Sequence, residues 1–231
     1  MLLHLETATA VCSAALSHNG AVIATRESAE PRAHAAMLTV FIDELLTEAG
    51  ITAYDVDAVS LSAGPGSYTG LRIASSAAKG FCYAANKPLI ALNTLQLMAS
   101  GFLQDNAIEG SFLICPMIDA RRDEVFSAMY NSKLEVIQPP APELLTIDSY
   151  AERLTQQPVY FIGDGAVKFN ALLGNKPNAY FNLGFYLKAQ HQAVLATQKF
   201  ENKDFVDVAY FEPDYLKEFY TTAVVKKPDS L

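Results

Sequence analysis

Short apolar runs alternate with longer amphipathic stretches along the whole chain, the pattern of an α/β protein. Residues 2–5 read as a buried strand that ends at the carboxylate Glu6. Residues 11–17 and 21–26 form a hairpin, with Asn19-Gly20 as its turn signal. A helix follows over 33–49, preceded by Pro31 and stopped by Gly50. Residues 56–63 form a strand, 71–85 a helix and 88–92 another strand, after which Asn93 caps a helix from 94 to about 102. The order is βββαβαβα.

The second half opens the same way. Residues 112–119 form an apolar strand ending at Asp119, and 124–130 with 134–138 form a hairpin across Asn131-Ser132-Lys133. A helix is expected over 147–154, a strand over 159–162, and a helix from Gly163-Asp164-Gly165-Ala166 to about 173. Tail helices are expected near 186–198 and 206–211, and Pro139-Pro140-Ala141-Pro142 reads as a loop. Leu5-Glu6-Thr7-Ala8 and Ile118-Asp119-Ala120-Arg121 stand at matching places, a weak internal repeat. A boundary within 102–111 divides the chain into halves of residues 1–104 and 105–231. Duplicated βββαβα halves are the plan of the actin-like, sugar-kinase and Hsp70 ATPase fold, and that is the fold class expected.

The run Gly64-Pro65-Gly66-Ser67-Tyr68-Thr69-Gly70-Leu71-Arg72 lies between a strand and a helix. Such a loop can offer backbone N–H groups beside the positive end of a helix dipole, so a nucleotide site is the obvious reading. The spacing fits neither common phosphate motif. Three residues separate Gly66 from Gly70, and Leu71-Arg72 follows where a Walker loop has Lys and Ser or Thr. The dinucleotide fingerprint needs two residues between its second and third glycines. A tight turn capped by Ser67 or Thr69 explains the run equally well. Glu6, Gly66, Ser67 and Thr69 are the residues that would touch a cofactor.

Charge narrows the partners. The chain has 231 residues and a net charge of -8, with a pI near 5.0. Its densest basic pairs are Arg121-Arg122 and Lys226-Lys227, too little to grip nucleic acid without a basic partner. Cys12, Cys82 and Cys115 are odd in number, far apart and in apolar segments, which points to a reducing compartment and argues against a disulfide framework. No signal-peptide pattern or membrane-length apolar run is read, so a cytoplasmic protein without membrane contact is expected.

Catalytic chemistry has little support. His4, His18, His34 and His191 never stand at a helical metal-ligand spacing. Gly66-Ser67-Tyr68-Thr69-Gly70 places Ser one position too early for a nucleophile elbow. Glu6 and Asp119, at the ends of equivalent strands, could address metal and phosphate or simply cap locally. In the helix over 33–49, Leu38, Phe41, Ile42, Leu45, Leu46 and Ala49 cover a broad arc, and Met37 and Val40 lie outside it. One core contact needs a single stripe. Burial on two sides or a second, intermolecular contact would each account for the excess.

Several segments together resemble one family. They are Leu5-Glu6-Thr7-Ala8-Thr9, Cys12-Ser13-Ala14-Ala15-Leu16, His34, residues 64–73, Ala78-Lys79-Gly80, Asn93-Thr94-Leu95, Asp119-Ala120-Arg121-Arg122-Asp123-Glu124-Val125, Gly163-Asp164-Gly165-Ala166 and Glu212-Pro213-Asp214-Tyr215-Leu216. They are similar to the TsaB (YeaZ) family over nearly the whole chain. Three departures stand out: Glu6 where many relatives have Asp, Ala35-Ala36 after His34 where many have Ser-Glu, and Ala74 where a glycine is common. The resemblance implies a non-catalytic subunit of the bacterial machinery that places threonylcarbamoyl on the adenosine beside the anticodon of tRNA. It implies pairing with the paralogue TsaD, assembly with the small ATPase TsaE, use of an intermediate made by TsaC, and a homodimer when TsaD is absent. ATP and metal are then expected on the partners, with no tightly bound cofactor here and tRNA met only through the complex. Met37, Leu38, Val40, Phe41, Leu45, Ile73, Ala77 and Phe81 are the implied interface residues. The residues alone also leave room for an autonomous actin-like ATPase or small-molecule kinase, and less readily for a glycoprotease-type peptidase.

Overall fold

A strand that is apolar at nearly every position suits the centre of a sheet covered on both faces, and β1 (Leu2–Glu6) is buried along its whole length. A computed structural model of the chain describes residues 1–30 and 34–216. β1 lies antiparallel to β2 (Cys12–His18) and parallel to β4 (Ala58–Gly64). β3 (Ala21–Ser28) pairs with β2, and β5 (Leu89–Asn93) with β4, giving the order β3-β2-β1-β4-β5. Between the strands run α1 (His34–Ala49), α2 (Tyr68–Ala85) and α3 (Thr94–Asp105).

The second sheet repeats this arrangement. β6 (Leu113–Asp119) is central, antiparallel to β7 (Glu124–Asn131) and parallel to β9 (Val159–Ile162). β8 (Val136–Leu144) and β10 (Ala179–Asn182) form its edges, in the order β10-β9-β6-β7-β8. α4 (Ala151–Gln156) and α5 (Gly165–Leu173) complete the half, and α6 (Ala193–Glu201) packs back against the first sheet. Read from the hairpin edge, each sheet runs third strand, second, first, fourth, fifth. The chain is therefore an α/β protein with the duplicated actin-like plan.

Layering follows from which faces are apolar. Leu3, Leu5, Leu16 and Val59 pack against Leu38, Phe41 and Leu45 of α1 and Ala74 and Ala78 of α2 on the outer face of the first sheet. Cys115, Phe161 and Met129 pack with Phe169 of α5 on the outer face of the second. Between the sheets lies α3, buried at Leu95, Leu97, Met98, Ala99 and Phe102, as expected of a helix apolar all round. Asn93 caps it by accepting from the Gln96 N–H at 3.1 Å.

Four local expectations are corrected. Residues 139–142 are not a loop; they lie inside β8, where an edge position and the irregular register opposite Ser127–Tyr130 tolerate prolines that lack an N–H. Residues 206–211 are not helical: the Asp207 carboxylate accepts from the N–H groups of Ala209 (2.8 Å) and Tyr210 (3.1 Å), and this side-chain turn replaces the helix. The helix expected over 147–154 begins only at Ala151, because Tyr150 adopts φ 61° and Ser149 closes a turn on Thr146. The tail helix near 186–198 is split into a 3-10 turn, Ala189–Gln192, and α6. β10 escaped the reading altogether. It has four residues, and a short parallel strand carries no alternation.

Leu45 is fully buried, whereas Val40 is 42% exposed on the same helix. Leu45→Ala is expected to lower the free energy of unfolding by about 2–5 kcal/mol. Val40→Ala is expected to change it by less than about 0.5 kcal/mol. Urea denaturation of the two variants measures the difference.

Candidate functional site

The glycine-rich junction is built by the meeting of three backbone segments. α2 starts at Tyr68, earlier than the apolar pattern placed it, because Ser67 caps it by accepting from the Gly70 N–H at 3.2 Å. The turn after β1 lies directly on the loop. The Ser67 N–H donates to the Ala8 carbonyl at 2.8 Å, and the Thr7 hydroxyl donates to the Gly70 carbonyl at 2.7 Å. A Cβ on Gly66 would stand 2.7 Å from the Ala8 oxygen, and one on Gly70 would overlap the Thr7 oxygen. Gly64, at φ +119°, lies so close to Asp214 that a Cβ there would overlap its carbonyl. The glycines thus serve close approach of the chain to itself. Gly66 faces Ala8, Ser67 is spent on the cap, and Thr69 is exposed at the edge of a groove.

Glu6 is fully buried. Its Oε1 accepts from the Ala8 N–H at 2.7 Å, and its Oε2 accepts from the Ser62 hydroxyl and from Gln192 Nε2 at 3.1 Å. Gln192 Nε2 also donates to the Leu5 carbonyl at 2.8 Å, while its Oε1 accepts from the Ser60 hydroxyl at 2.6 Å. With its proton committed to Gln192, Ser60 must accept from His4 Nδ1 at 2.7 Å. That fixes the neutral tautomer protonated on Nδ1, so His4 Nε2 accepts from the Ser17 hydroxyl at 2.7 Å. Burial pushes the His4 imidazole down to about 3. Burial also raises the Glu6 carboxyl above its ordinary range, against the hydrogen bonds from Ser62, Ala8 and Gln192, which favour the ionised form. Both oxygens of Glu6 thus accept from donors of the chain itself.

Asp119 occupies the matching place in the second half, in a different setting. Its Oδ1 accepts from the Arg121 N–H and from Lys168 Nζ, both at 2.6 Å, and its side chain is 40% exposed. Both strand-end acids therefore accept from the N–H two residues on, a local cap that the duplication preserves. No group of three or more His, Cys, Asp or Glu side chains able to hold a metal occurs among the described residues. His34 Nε2 lies 3.1 Å from the Thr9 carbonyl oxygen, and His191 is buried 3.3 Å from Asp105, so the histidines stay dispersed. The three cysteines are buried and free, and burial pushes Cys12 up to about 11 and Cys82 to about 12.

On the outer side of the first half, α1 and α2 flank a groove of about 610 Å³ lined by Ala35, Leu38, Thr39, Tyr68, Thr69, Arg72, Ile73, Ser76 and Ala77. The interface residues expected from the sequence divide there. Leu38, Phe41 and Leu45 are 1%, 5% and 0% exposed and belong to the core under α1, so their contribution is to packing on the sheet. Val40 is exposed, and Met37, Ile73, Ala77 and Phe81 are half-buried, with one side on that core and the other toward solvent. Sequence reasoning missed Ser60, Ser62 and Gln192. Two serines two positions apart in the apolar strand β4 were the available signal for a polar seam.

Gly70→Ala forces the turn at Thr7 off the helix and is expected to cost about 2–4 kcal/mol. Gly80→Ala has open space and is expected to stabilise by up to about 1 kcal/mol. His4 supplies a pH dependence. Its ordinary value is 6.5 and its folded value about 3, so the unfolded chain binds the extra proton. Stability is therefore fully present above about 6.5 and lost as pH falls toward 3, with a slope approaching ~1.4 kcal/mol per pH unit. The raised Glu6 acts in the opposite sense, favouring the fold near and below 4.5 and losing that contribution as pH rises. His4→Gln is expected to be ~2 kcal/mol less stable at pH 7, with a flatter curve between pH 6.5 and 4. Unfolding titrations across that range measure both.

The family model of TsaD, tRNA N6-adenosine threonylcarbamoyltransferase, matches residues 27–221. The tRNA threonylcarbamoyladenosine biosynthesis protein TsaB of Escherichia coli is 37% identical over 129 residues, 56% of this chain and 54% of that protein. Its Haemophilus influenzae namesake is 35% identical over 54% of this chain and 51% of that protein, so the chain spans about half the length of these two relatives. The Bacillus subtilis namesake is 25% identical over 94% of this chain and 93% of its own length. A solved structure, YeaZ from Pseudomonas aeruginosa, superposes with a TM-score of 0.79 at 27% identity, covering 93% of this chain and 99% of that one. With a family match over most of its length and these relatives beside it, the chain belongs to the TsaD family of tRNA N6-adenosine threonylcarbamoyltransferases, on its TsaB (YeaZ) branch.

Proposed function

We propose that this chain is a non-catalytic, cytoplasmic subunit of the machinery that forms threonylcarbamoyladenosine beside the anticodon of tRNA. It acts by binding the catalytic paralogue TsaD through α1 and α2, in an assembly that includes TsaE. The observation that carries the reading is the outer face of α1 and α2, where Ile73 and Ala77 line a groove of about 610 Å³ and Met37, Val40 and Phe81 are half-buried or exposed on the same two helices. Leu38, Phe41 and Leu45 anchor that face to the sheet from beneath, so it meets a partner already rigid. The names of the E. coli and B. subtilis relatives support the pathway. The loss of Glu6 to internal hydrogen bonds, and glycines that face Ala8, Thr7 and Asp214, support a supporting role over a catalytic one. ATP and metal then belong to the partner subunits, tRNA reaches this acidic chain only through the complex, and without TsaD the same face pairs two copies.

Co-expression with TsaD, sizing of the product and a tRNA modification assay test the reading. The double variant Val40→Asp/Phe81→Asp is expected to remain folded, to weaken the heterodimer by at least ~30-fold and to abolish modification. A double variant that binds and supports modification like the wild type overturns it. Tight ATP binding by the isolated chain in calorimetry would favour the autonomous ATPase or kinase instead.

A further inference from the structure

Arg72 is the charged residue of the α1–α2 groove; the other described lining residues are apolar or carry hydroxyls. Its guanidinium carbon sits 4.3 Å from the centroid of the Tyr68 ring. Tyr68 in turn packs against Tyr215, with ring centroids 4.8 Å apart and planes at 42°. Arg72 has no ion pair among the described residues. Arg26, at the other side of α1, bonds both Glu44 and Glu48. Those two helix carboxylates are therefore committed away from the groove.

Tyr215 reaches Tyr68 because the segment after α6 is strapped along the first half. The Val206 N–H donates to the Leu89 carbonyl at 2.9 Å, and Lys79 Nζ donates to the carbonyls of Ala209 (2.9 Å) and Phe211 (3.0 Å). The Asp214 N–H then donates to the Ala63 carbonyl at 2.6 Å. A guanidinium held over a ring can still offer N–H groups to a bidentate acceptor, and the contact removes part of the rotamer freedom that binding would otherwise cost. A positive charge with no ion pair among the described residues, in a groove otherwise lined by apolar and hydroxyl-bearing side chains, calls for one negative group on whatever fills it.

We infer that Arg72 receives a side-chain carboxylate of the paralogous TsaD subunit in the α1–α2 groove, and that Tyr215 of the strap is the positioning residue that holds Arg72 ready through Tyr68. The inference rests on the docking face proposed above. It makes the chain's last described segment part of the recognition surface, and it adds an electrostatic determinant to a contact otherwise read as apolar.

The test is titration calorimetry of the full chain against TsaD from the same organism, at about 50 and 300 mM salt. The wild type is expected to bind more weakly at the higher salt. Arg72→Ala is expected to lose ~10-fold in affinity and most of that salt dependence, and Arg72→Glu ~100-fold. Arg72→Lys keeps the charge without the planar fork and is expected to recover only part of the loss. Tyr215→Ala is expected to weaken binding ~5-fold and flatten the salt dependence, while Tyr215→Phe, which keeps the ring, binds like the wild type. Circular dichroism and thermal unfolding establish that each variant is folded, so a merely structural role of Tyr215 would move the melting temperature without moving the salt dependence. Val40→Asp/Phe81→Asp is run beside them. Loss of binding there, with wild-type affinity and salt dependence for Arg72→Glu, overturns this inference and leaves the docking face standing. Wild-type binding by Val40→Asp/Phe81→Asp overturns the docking face itself.

Discussion

A line of buried hydrogen bonds, Ser17–His4–Ser60–Gln192–Glu6–Ser62, ties the first strands to the turn before α6, and much else rests on it. Every member is buried, so each unmade bond would leave a polar group without water or partner, a cost of about 1–3 kcal/mol apiece. The chain has one consistent set of proton positions, running from the Ser17 hydroxyl to the Gln192 amide and meeting the carboxylate of Glu6 from two sides. Because Gln192 belongs to the turn before α6, this seam fixes α6 on the first sheet, and α6 with α3 fills the space between the sheets. The seam shows how a fold with an acid at the end of its first strand can use that acid for architecture: both of its oxygens accept from the chain.

The glycine junction and the groove are consequences of the same packing. With β1 held in place, the turn at Thr7 and Ala8 presses on Gly66 and Gly70, and α2 leaves the sheet at the angle that this contact allows. α1 then lies beside α2 over the outer face of the sheet, and their solvent sides form one continuous surface. The family resemblance is concentrated in these residues, yet most of them touch only the chain itself. Their pattern is kept legible by steric necessity, whereas Arg72 and Val40 on the same helices are exposed.

Much of the architecture could be read from the sequence because it is written locally. The strands from β1 to β7 are apolar runs, the helices have caps such as Asn93, and the repeat of strand, acid and hairpin marked the duplication. What escaped was non-local or against local preference. The prolines of β8 deny a strand by every local rule and are admitted only because that strand is an edge. The helix expected at 206–211 lost to one aspartate side chain. Helical periodicity displayed the apolar arc of α1 but could not tell which part the sheet would claim, so Leu38, Phe41 and Leu45 were grouped with the truly accessible Val40. The partners of Glu6 lie 56 and 186 residues away, a distance at which no motif speaks.

The return of the chain to its own beginning also orders events during synthesis. Gln192, Val206 and Asp214 complete the first half, supplying its polar seam, a bridge to β5 and the cover over Gly64. The amino-terminal sheet can form early from local contacts, but its interior face has only α3 for cover until Gln192 and α6 have left the ribosome. Closure over such sequence separations is slow relative to hairpin and helix formation. The contact of Asp214 with Gly64, at the start of the junction that leads into α2, is the last of these closures in chain order.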